Sequence, residues 1–469
     1  MNNNQVFCVR NFLLLVLFYS ITFGVIYLAV TTKYVENDDL TVLRISIFFI
    51  LFPIIIKYII QLLAIPFYSL SGYFLRKNNN ENYTPKVSVL IPAWNEEVGI
   101  IKTIESVLNT EYGGLEVIVI NDGSTDATHE LVTQFITHFN QEKQQSRIKY
   151  LSLSNGGKAK ALNQAIERAT GEFIVTIDAD CVMDKNALVN IVKHFADAQV
   201  AAVAGNVVIG NRQKPIELIQ QLEYLYGFFF KRADSVFNSV YIIGGASAAY
   251  RKTVLDEVGG LDHEVLTEDI EMSTRILAAG YKTRYAYDAI TYTEGPSDWK
   301  GLCNQRLRWK FGRFQTFIKY RQLFFSLGKK RNPYFTCLLL PIAVYAEFTL
   351  LFQGFFLAIF YGYTIYTNDY LPLVFVICFM TLMILLQVIF DAKSRFHLNL
   401  LLLAPIAWIV LYAIDLVEFH ALCRSLKCMI KQEELHWQKW VRVGLIGHTA
   451  LPTAESIIEE EDVFSNPKS

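Results

Sequence analysis

The chain lacks an excess of charge of either sign. Its 469 residues include 43 lysines and arginines and 44 aspartates and glutamates, which gives a formal net charge of −1. A near-neutral protein has no global field that would attract nucleic acid or an acidic polymer, so neither is expected as a partner. Any recognition of a charged ligand must come from local groups.

Paired cysteines are also missing. The seven cysteines are scattered, none forms a CxxC pair, and several stand in apolar surroundings. This pattern argues against a disulfide framework and against a zinc site, and it predicts reduced packing residues. The sequence also has no internal repeat.

Apolar residues, by contrast, make up 52% of the chain, a high share for a soluble protein. Residues 11–32 carry no charge and are long enough to cross roughly 30 Å of hydrocarbon. A second apolar stretch, 44–76, is interrupted only by Lys57. No small-residue cleavage pattern follows the first stretch, so a cleaved signal peptide is not indicated. Residues 1–78 are therefore predicted to form two transmembrane helices.

Three further apolar regions occur in the second half of the chain, over residues 338–366, 371–390 and 398–414. They predict C-terminal transmembrane helices over residues 334–425. Glu347 lies inside the first of these regions. An ionisable residue at such a position predicts a functional or paired group within the membrane.

Lysine and arginine positions predict the orientation. The loop after the first span is acidic, and Arg76 and Lys77 follow the second, so the central domain is expected in the cytoplasm. The basic, aromatic stretch 311–333 predicts an interfacial amphipathic helix. Residues 426–469 are predicted to form a cytoplasmic tail, which requires Pro405 to break the last apolar region. The acidic end of this tail is expected to be disordered.

Residues 84–310 show a different pattern, in which short β-branched runs alternate with helical stretches. This alternation is typical of βαβ units in a parallel sheet. The predicted strands are KVSVLIP, LEVIVIND, IKYLSL, EFIVTID and VAAVAG. Asp122 and Asp178 then stand at the carboxyl ends of strands, the edge where open α/β sheets bind ligands. The sequence predicts an α/β domain inserted between the transmembrane helices of an integral membrane protein.

The polar residues at that edge suit a nucleotide diphosphate sugar. Asp122, in NDGSTD, could accept a hydrogen bond from a pyrimidine N–H, or the loop could be an Asx turn before a capped helix. Lys158 follows the glycine pair of NGGK, where it could contact a phosphate at a helix N-terminus or could be a surface residue. Neither motif is specific by itself.

Asp178 and Asp180 flank an alanine at a predicted strand end. Alternate residues of an extended segment point the same way, so the two carboxylates could share a ligand. Carboxylates together with phosphate oxygens suit Mg²⁺ or Mn²⁺. The alternative is that the two acids cap the following helix.

The TED motif, residues 267–269, contains the candidate general base. Asp269 could take the proton of an acceptor hydroxyl, with Glu268 as the second choice, although acids here would also complement the dipole of a helix. Gly244 and Gly245 could let a sugar approach the backbone, or could form a tight turn.

Gln305, Arg308 and Trp309 stand at i, i+3 and i+4, so they share one helix face. A guanidinium can hold phosphate oxygens, an indole can stack on a sugar ring, and a glutamine can orient either. A membrane-surface helix with snorkelling arginines is the alternative. An aromatic helix over residues 217–238 is predicted to pack on the sheet or the membrane, or else to form a stacking platform for a polymer.

The combined series PAWNEE, VINDGSTD, GGKAKALN, DAD, GGASAAYR, TED and QRLRW resembles the processive branch of glycosyltransferase family 2. This branch includes synthases of poly-N-acetylglucosamine, hyaluronan, chitin and cellulose. The resemblance runs from Pro85 to about Phe317 and includes the membrane layout. It implies a GT-A-type fold and an inverting hexosyltransferase that extends a polysaccharide from a UDP-sugar and extrudes it across the bacterial inner membrane. Similarity to the poly-N-acetylglucosamine synthases makes N-acetylglucosamine the expected sugar.

The resemblance also implies roles for individual residues. Asp122 would contact the uridine, Asp178 the nucleotide and Lys158 the diphosphate. Asp180 would hold the divalent metal, Mg²⁺ or Mn²⁺. The residues expected to act in catalysis, donor gating or acceptor positioning are Asp269, Gln305, Arg308 and Trp309. The other expected substrate-binding residues are Pro92, Asn95, Glu96, Gly244, Gly245 and Glu268. The expected partners are the UDP-sugar, the growing polysaccharide, the lipid bilayer and an accessory membrane protein.

Two other functions remain open at this stage. A non-processive transferase with a lipid acceptor would share the early acids but typically lacks the QxxRW motif. A non-catalytic membrane carrier would use the charges predicted inside the spans as a transport path, namely Lys57, Glu347, Asp415 and Glu418.

Overall fold

The computed structural model describes residues 38–78, 83–143, 147–433 and 442–445, with single positions between 12 and 27 and at 435 and 440. The first predicted anchor, 11–32, therefore lies largely outside the described residues. The acidic end of the chain beyond Ala450, for which disorder is predicted, lies outside them as well.

The second predicted anchor is one long helix, α1 (Asp38–Asn78). It contains Pro53 and Pro66 without a break in the helical assignment. Residues 45–70 of this helix are long and apolar enough to cross a bilayer. Many of its large apolar side chains are exposed, as expected for a helix that faces lipid.

The central domain is built on an eight-stranded sheet in the order β3-β2-β1-β4-β7-β6-β8-β5. The strands are β1 (Val87–Ala93), β2 (Leu115–Asp122), β3 (Ile148–Leu153), β4 (Phe173–Thr176), β5 (Cys181–Met183), β6 (Val200–Ile209), β7 (Ala248–Arg251) and β8 (Lys282–Thr293). The first four strands in this order pair in parallel, as predicted. All eight residues of β2 are buried, which explains the continuous apolar run over its residues 117–120.

The other half of the sheet corrects the expectation of a wholly parallel sheet. β7 lies between β4 and β6 and pairs antiparallel with both. The predicted strand VAAVAG is part of β6, which pairs parallel with β8 rather than joining the first four strands. The insertion of β7 depends on pairing between strands that are distant in sequence, so local patterning could not reveal it.

Helices cover both faces of this sheet. They are α2 (Ile100–Leu108), α3 (Thr128–Lys143), α4 (Lys158–Arg168), α5 (Ala187–Val192), α6 (Pro215–Val236), α7 (Lys252–Val258) and α8 (Glu268–Ala279). Two apolar cores result, one on each side of the sheet. Burying each such large apolar side chain stabilises the fold by roughly 1.5–3 kcal/mol. The aromatic helix α6 links the sheet to the membrane helices, because Phe229 and Phe230 pack against Leu62 and Ile65 of α1.

The helix that carries QRLRW, α9 (Trp299–Lys319), begins where the Asp298 carboxylate accepts a hydrogen bond from the Gly301 N–H at 2.8 Å. This helix runs through residue 311, where the separate interfacial helix was predicted to begin. No separate amphipathic helix occupies 311–333. Residues 311–319 continue the motif helix, and a short 3₁₀ turn follows at Arg321–Leu323.

The C-terminal helices are α10 (Leu340–Leu351), α11 (Gln353–Thr367), α12 (Leu371–Phe390) and α13 (Ala407–Lys431). The predicted region 338–366 is thus divided at Phe352. The segments 334–351, 371–390 and 404–431 are long and apolar enough to span a bilayer. Two 3₁₀ segments, Ser394–Leu402 and Ala404–Ile406, precede α13, so the interruption expected near Pro405 is a series of tight turns.

After α13 the chain returns to the α/β domain. The backbone N–H groups of Val443 and Gly444 donate hydrogen bonds to Glu294, next to the end of β8. This contact places the described end of the tail on the same side of the spans as the α/β domain.

Candidate active site

A cavity of about 1420 Å³ joins the carboxyl edge of the sheet to the membrane helices. Pro92 and Asp122 line one end, and Lys57 and Glu347 line the other. The predicted site residues that line it are Pro92, Glu96, Asp122, Lys158, Asp178, Asp180, Gly244, Gly245, Glu268, Asp269, Gln305, Arg308 and Trp309. The structure therefore gathers residues from seven separate motifs around one space.

Asn95 is the exception, because it is absent from the cavity wall. It has a positive φ of 55°, and its Oδ1 accepts a hydrogen bond from the Thr125 N–H at 2.7 Å. Its own N–H donates to Ser124 Oγ at 2.9 Å. Asn95 joins the loops that follow β1 and β2, so it supports the site without facing it.

Asp122 is buried at the end of β2, and its two carboxylate oxygens accept hydrogen bonds from Gly156 and Gly157 N–H at 2.8 and 2.9 Å. Both amides are therefore engaged by Asp122. Gly123 has a φ of 68°, and a Cβ there would lie 2.5 Å from the Asn155 N. Only glycine allows this close approach of the two loops.

Lys158 stands between two of the predicted acids. Its Nζ lies 2.5 Å from Asp178 Oδ1 and 3.4 Å from Glu268 Oε1. Burial disfavours the charge of Lys158, but Asp178 and Glu268 more than offset this and raise its pKa. For Asp178, burial is opposed by Lys158, which lowers the pKa of the carboxyl. Both groups are charged at neutral pH, and the pair can open toward an anionic ligand.

Asp269 is held by backbone donors at the start of α8. Its Oδ2 accepts from Gly245 N–H at 3.0 Å and its Oδ1 from Ile270 N–H at 2.8 Å. Burial, reinforced by the neighbouring charge of Glu268, raises the pKa of Asp269 to about 6. A fixed carboxylate with a raised pKa is suited to accept a proton near neutral pH. Gly245 was predicted to let a sugar approach the backbone or to form a tight turn, and the structure shows that its N–H also orients this carboxylate.

Asp178 and Asp180 do not lie on an extended strand, which corrects the argument from alternation. β4 ends at Thr176, and the two acids lie in a turn before β5. They face different cations, since Asp180 Oδ2 lies 2.5 Å from Nη1 of Arg442. The turn brings both acids to the cavity with separate partners.

The oxygen atoms of Asp180 suit a divalent cation that has few protein ligands. Within the described residues, no group of three or more histidines, cysteines, aspartates or glutamates is arranged to hold a metal ion. Mg²⁺ is commonly bound by one or two carboxylates and completed by phosphate oxygens and water. The carboxylate of Asp180, which lines the cavity, supplies oxygen ligands of this kind.

Gln305, Arg308 and Trp309 line the cavity from α9, as their spacing predicts. The Oε1 of Gln305 is buried and has no hydrogen-bond partner in the described part of the chain, so it is free to accept from a ligand. Burial lowers the pKa of Arg308, although Glu268, Asp178 and Asp269 favour its charge. Arg308 therefore adds positive charge to the acidic centre of the cavity.

Sequence reasoning missed the importance of Arg306. This residue is almost fully buried, and its guanidinium lies 4.2 Å from the centroid of the Trp309 ring. It also pairs with Glu223 at 2.5 Å and with Glu418 at 3.3 Å. Its partners lie on α6 and α13, which no local pattern connects to α9.

Arg306 belongs to a buried ion-pair network between α9 and the membrane helices. Lys310 pairs with Glu347 at 2.6 Å and with Glu418 at 2.8 Å. Arg313 pairs with Glu347 at 3.0 Å. The membrane charges Glu347 and Glu418 are thus neutralised by the motif helix, and removing one partner would leave a buried charge unpaired.

The aromatic helix α6 packs against α1 and also faces the cavity. Tyr224, Tyr226, Phe228 and Phe230 line the cavity, whereas Phe229 is packed in the core between α6 and α1. Lys231 also lines the cavity, and its Nζ lies 3.9 Å from the centroid of the Phe228 ring. Burial lowers the pKa of Lys231 to about 8.

The contact between α9 and the TED segment predicts the effect of one small substitution. A Cβ at Gly312 would lie 2.4 Å from Thr267 Oγ1 and 2.8 Å from the Thr267 N. We expect Gly312→Ala to lower the free energy of unfolding by about 1–3 kcal/mol, as overpacking does. Thermal unfolding of purified protein checks this. Gly362→Ala is the matched control, because nothing lies within 4 Å of its Cβ position; equal melting of both variants would contradict the prediction.

Comparison with known proteins identifies the domain. A family model described as glycosyltransferase-like family 2 matches residues 85–312. The α/β domain belongs to this family. The poly-beta-1,6-N-acetyl-D-glucosamine synthase of Staphylococcus epidermidis is 33% identical over 237 residues, which are 50% of this chain and 56% of the relative. The synthase of the same name from Staphylococcus aureus strain COL is 32% identical over 251 residues, 53% of this chain and 58% of the relative. The chain thus spans little more than half the length of these relatives.

A solved structure supports the fold of this glycosyltransferase domain. A mannosyltransferase from Pyrobaculum calidifontis, in complex with GDP-Man and Mn²⁺, has a TM-score of 0.50 and 22% sequence identity. The match covers 82% of this chain and 99% of that chain. The predicted fold class, a GT-A-type α/β domain with apolar helices typical of a membrane protein, is confirmed.

Proposed function

We propose that the protein is an inverting, processive glycosyltransferase of a bacterial inner membrane. It transfers N-acetylglucosamine from a UDP-sugar to the end of a growing polysaccharide and extrudes the product, with the α/β domain in the cytoplasm. The observation that carries this proposal is the cavity that connects the family motifs to the membrane helices. The choice of sugar rests on the names of the Staphylococcus relatives.

The donor binds where β1 and β2 end. Asp122 is oriented by the Gly156 and Gly157 amides, so that it can contact the uridine. Lys158 supplies positive charge for the diphosphate, and its ion pair with Asp178 exchanges for phosphate contacts when the donor enters. Pro92 and Glu96 complete this end of the cavity.

Asp180 holds a divalent cation in this proposal. The presence of Mn²⁺ in the mannosyltransferase complex supports such a requirement, and the carboxylate chemistry at Asp180 fits it. The cation would offset the negative charge of the departing diphosphate. Whether Mg²⁺ or Mn²⁺ serves is decided by measuring transfer with each.

Asp269 acts as the general base. It takes the proton of the acceptor hydroxyl while that oxygen bonds to the anomeric carbon, and the bond from this carbon to the diphosphate oxygen breaks as UDP leaves with the electron pair. Attack opposite the leaving group inverts the anomeric centre. The Gly245 and Ile270 N–H groups fix the carboxylate for this step.

The acceptor lies between α9 and α6. Trp309 and the aromatic residues Tyr224, Phe228 and Phe230 provide apolar faces on which sugar rings stack. Stacking tolerates movement by one sugar unit better than directional hydrogen bonds do. The cavity reaches Lys57 and Glu347 on the membrane helices, which favours a product that leaves through the membrane over transfer to a lipid at its surface.

Purified protein assayed with UDP-N-acetylglucosamine, UDP-glucose and UDP-glucuronate, each with Mg²⁺ or Mn²⁺, tests this function. The proposal expects release of UDP and growth of a high-mass polymer with UDP-N-acetylglucosamine. One sugar per lipid molecule would support a non-processive enzyme instead. No turnover with any donor, in the presence of a short acceptor and candidate accessory proteins, would favour a carrier.

The raised pKa of Asp269 predicts the pH dependence of transfer. A general base works only when deprotonated, so kcat at saturating donor should be level above about pH 6 and fall about tenfold per unit below it. Initial rates between pH 4.5 and pH 8 check this, with donor binding measured at each pH as the control. A rate that rises as the pH is lowered through 6 would exclude Asp269 as the base.

A further inference from the structure

The returning C-terminal segment, Trp440 and Arg442–Leu445, is docked beside the donor end of the cavity. Val443 and Gly444 N–H donate to the two carboxylate oxygens of Glu294 at 2.7 and 2.9 Å. Leu445 is buried in a small apolar cluster with Val182, Val208, Ile290 and Tyr292. Its carbonyl oxygen accepts a hydrogen bond from Lys102 Nζ at 3.3 Å. Polar and apolar contacts together make this a built docking surface.

Arg442 carries the charge of this segment into the site. Its Nη1 lies 2.5 Å from Asp180 Oδ2 and its Nε lies 3.4 Å from Glu96 Oε2. The side chains of Asp180 and Glu96 are 7% and 8% exposed. The guanidinium also lies 4.3 Å from the centroid of the Trp440 ring.

Two buried carboxylates, Glu96 and Asp180, therefore meet one guanidinium, and the charge of the nearby Glu294 also favours it. Buried carboxylates need a compensating cation, and in this arrangement Arg442 supplies it. A divalent cation bound to Asp180 would lie about 2–2.6 Å from the carboxylate oxygens, where its charge would repel a guanidinium already 2.5 Å from Oδ2. A metal ion on Oδ2 would therefore have to displace the guanidinium from that oxygen.

We propose that Trp440 and Arg442–Leu445 form an internal competitor of the divalent cation, with Arg442 occupying Asp180 in the metal-free protein and leaving it when the metal binds. The inference rests on the proposed function for the metal role of Asp180, and it adds a second occupant for that carboxylate. Donor-site access is thereby coupled to release of the C-terminal segment.

Mn²⁺ alone is the probe that tests the competition. Binding of Mn²⁺ to the full-length purified protein is measured by titration calorimetry, without donor. Arg442→Ala removes the competing charge, and Leu445→Asp releases the segment without touching Asp180 or Arg442. If nine-tenths of the molecules hold the docked segment, both variants bind Mn²⁺ about tenfold more tightly than the parent. Lys427→Ala, an exposed cation on α13, is the matched control and should bind like the parent.

Each outcome of the titration decides the inference. Tighter binding in both variants, abolished by adding Asp180→Ala, supports it. Equal Mn²⁺ affinity in the parent and both variants overturns the competition and leaves the metal role of Asp180 intact. Weaker binding in Arg442→Ala would show that Arg442 assists the metal, which overturns it too. If no variant binds Mn²⁺, the inference falls together with the metal site, and polymer growth in the transfer assay then shows separately whether the proposed function survives.

Discussion

Asp269→Asn should reduce sugar transfer by about 10²–10⁴-fold, the usual contribution of a general base, and should leave UDP binding nearly unchanged. The amide keeps the shape of the carboxylate and can still accept a hydrogen bond from Gly245 N–H, but it cannot take a proton. Initial rates of UDP release and the affinity for UDP, measured on the same preparation, check both parts.

Asp256→Asn is the control for this substitution, because Asp256 is exposed on α7 and away from the cavity wall. It should retain full transfer. Equal loss of transfer and of UDP affinity in Asp269→Asn would mean that Asp269 binds the donor, and its assignment as the base would have to be withdrawn.

Asp180→Ala should remove the dependence of UDP affinity on divalent cations. Mutation of residues that only support metal ligands lowers metal affinity or activity about 10–100-fold. Because Asp180 is proposed to bind the metal directly, its loss should lower the rate of sugar transfer at least about 100-fold. UDP affinity is measured with and without Mn²⁺ in the parent and the variant. Asp256→Ala serves as the control for the removal of a carboxylate.

This prediction is decided by comparing the affinity for UDP with and without Mn²⁺. The parent should bind UDP more tightly with Mn²⁺, whereas Asp180→Ala should give the same value in both conditions. A variant that still responds to Mn²⁺ would place the metal elsewhere, with Asp178 as the nearest alternative acid in the sequence.

Much of the fold could be predicted because its signals are local. The apolar run of β2 and the turn at Gly123 follow from neighbouring residues, and so does the shared face of Gln305 and Arg308 on α9. The mixed half of the sheet could not be predicted, because β7 is placed by pairing with β4 and β6 rather than by its own short sequence.

In the candidate active site, too, the features set by local sequence could be predicted and those set by tertiary contacts could not. Motif order correctly grouped Asp122, Lys158 and Asp269 around one cavity. The turn that holds Asp180 was missed, since an apolar run before two acids carries no turn signal. Arg306 and Arg442 were missed because the acids that they contact come from other parts of the chain. A buried arginine is explained only by its partners, and those are known only from the tertiary structure.

The ion pairs between α9 and the membrane helices restrict which catalytic domains and membrane spans can be combined in one protein. Glu347 and Glu418 of the membrane helices are paired with Lys310 and Arg306 of α9, so the membrane half carries acids whose partners lie on the catalytic half. A chimera that joins this catalytic module to the spans of a relative would leave the buried Lys310 without its acids, unless the matching acids were transplanted as well. The two modules should therefore be inherited as a unit.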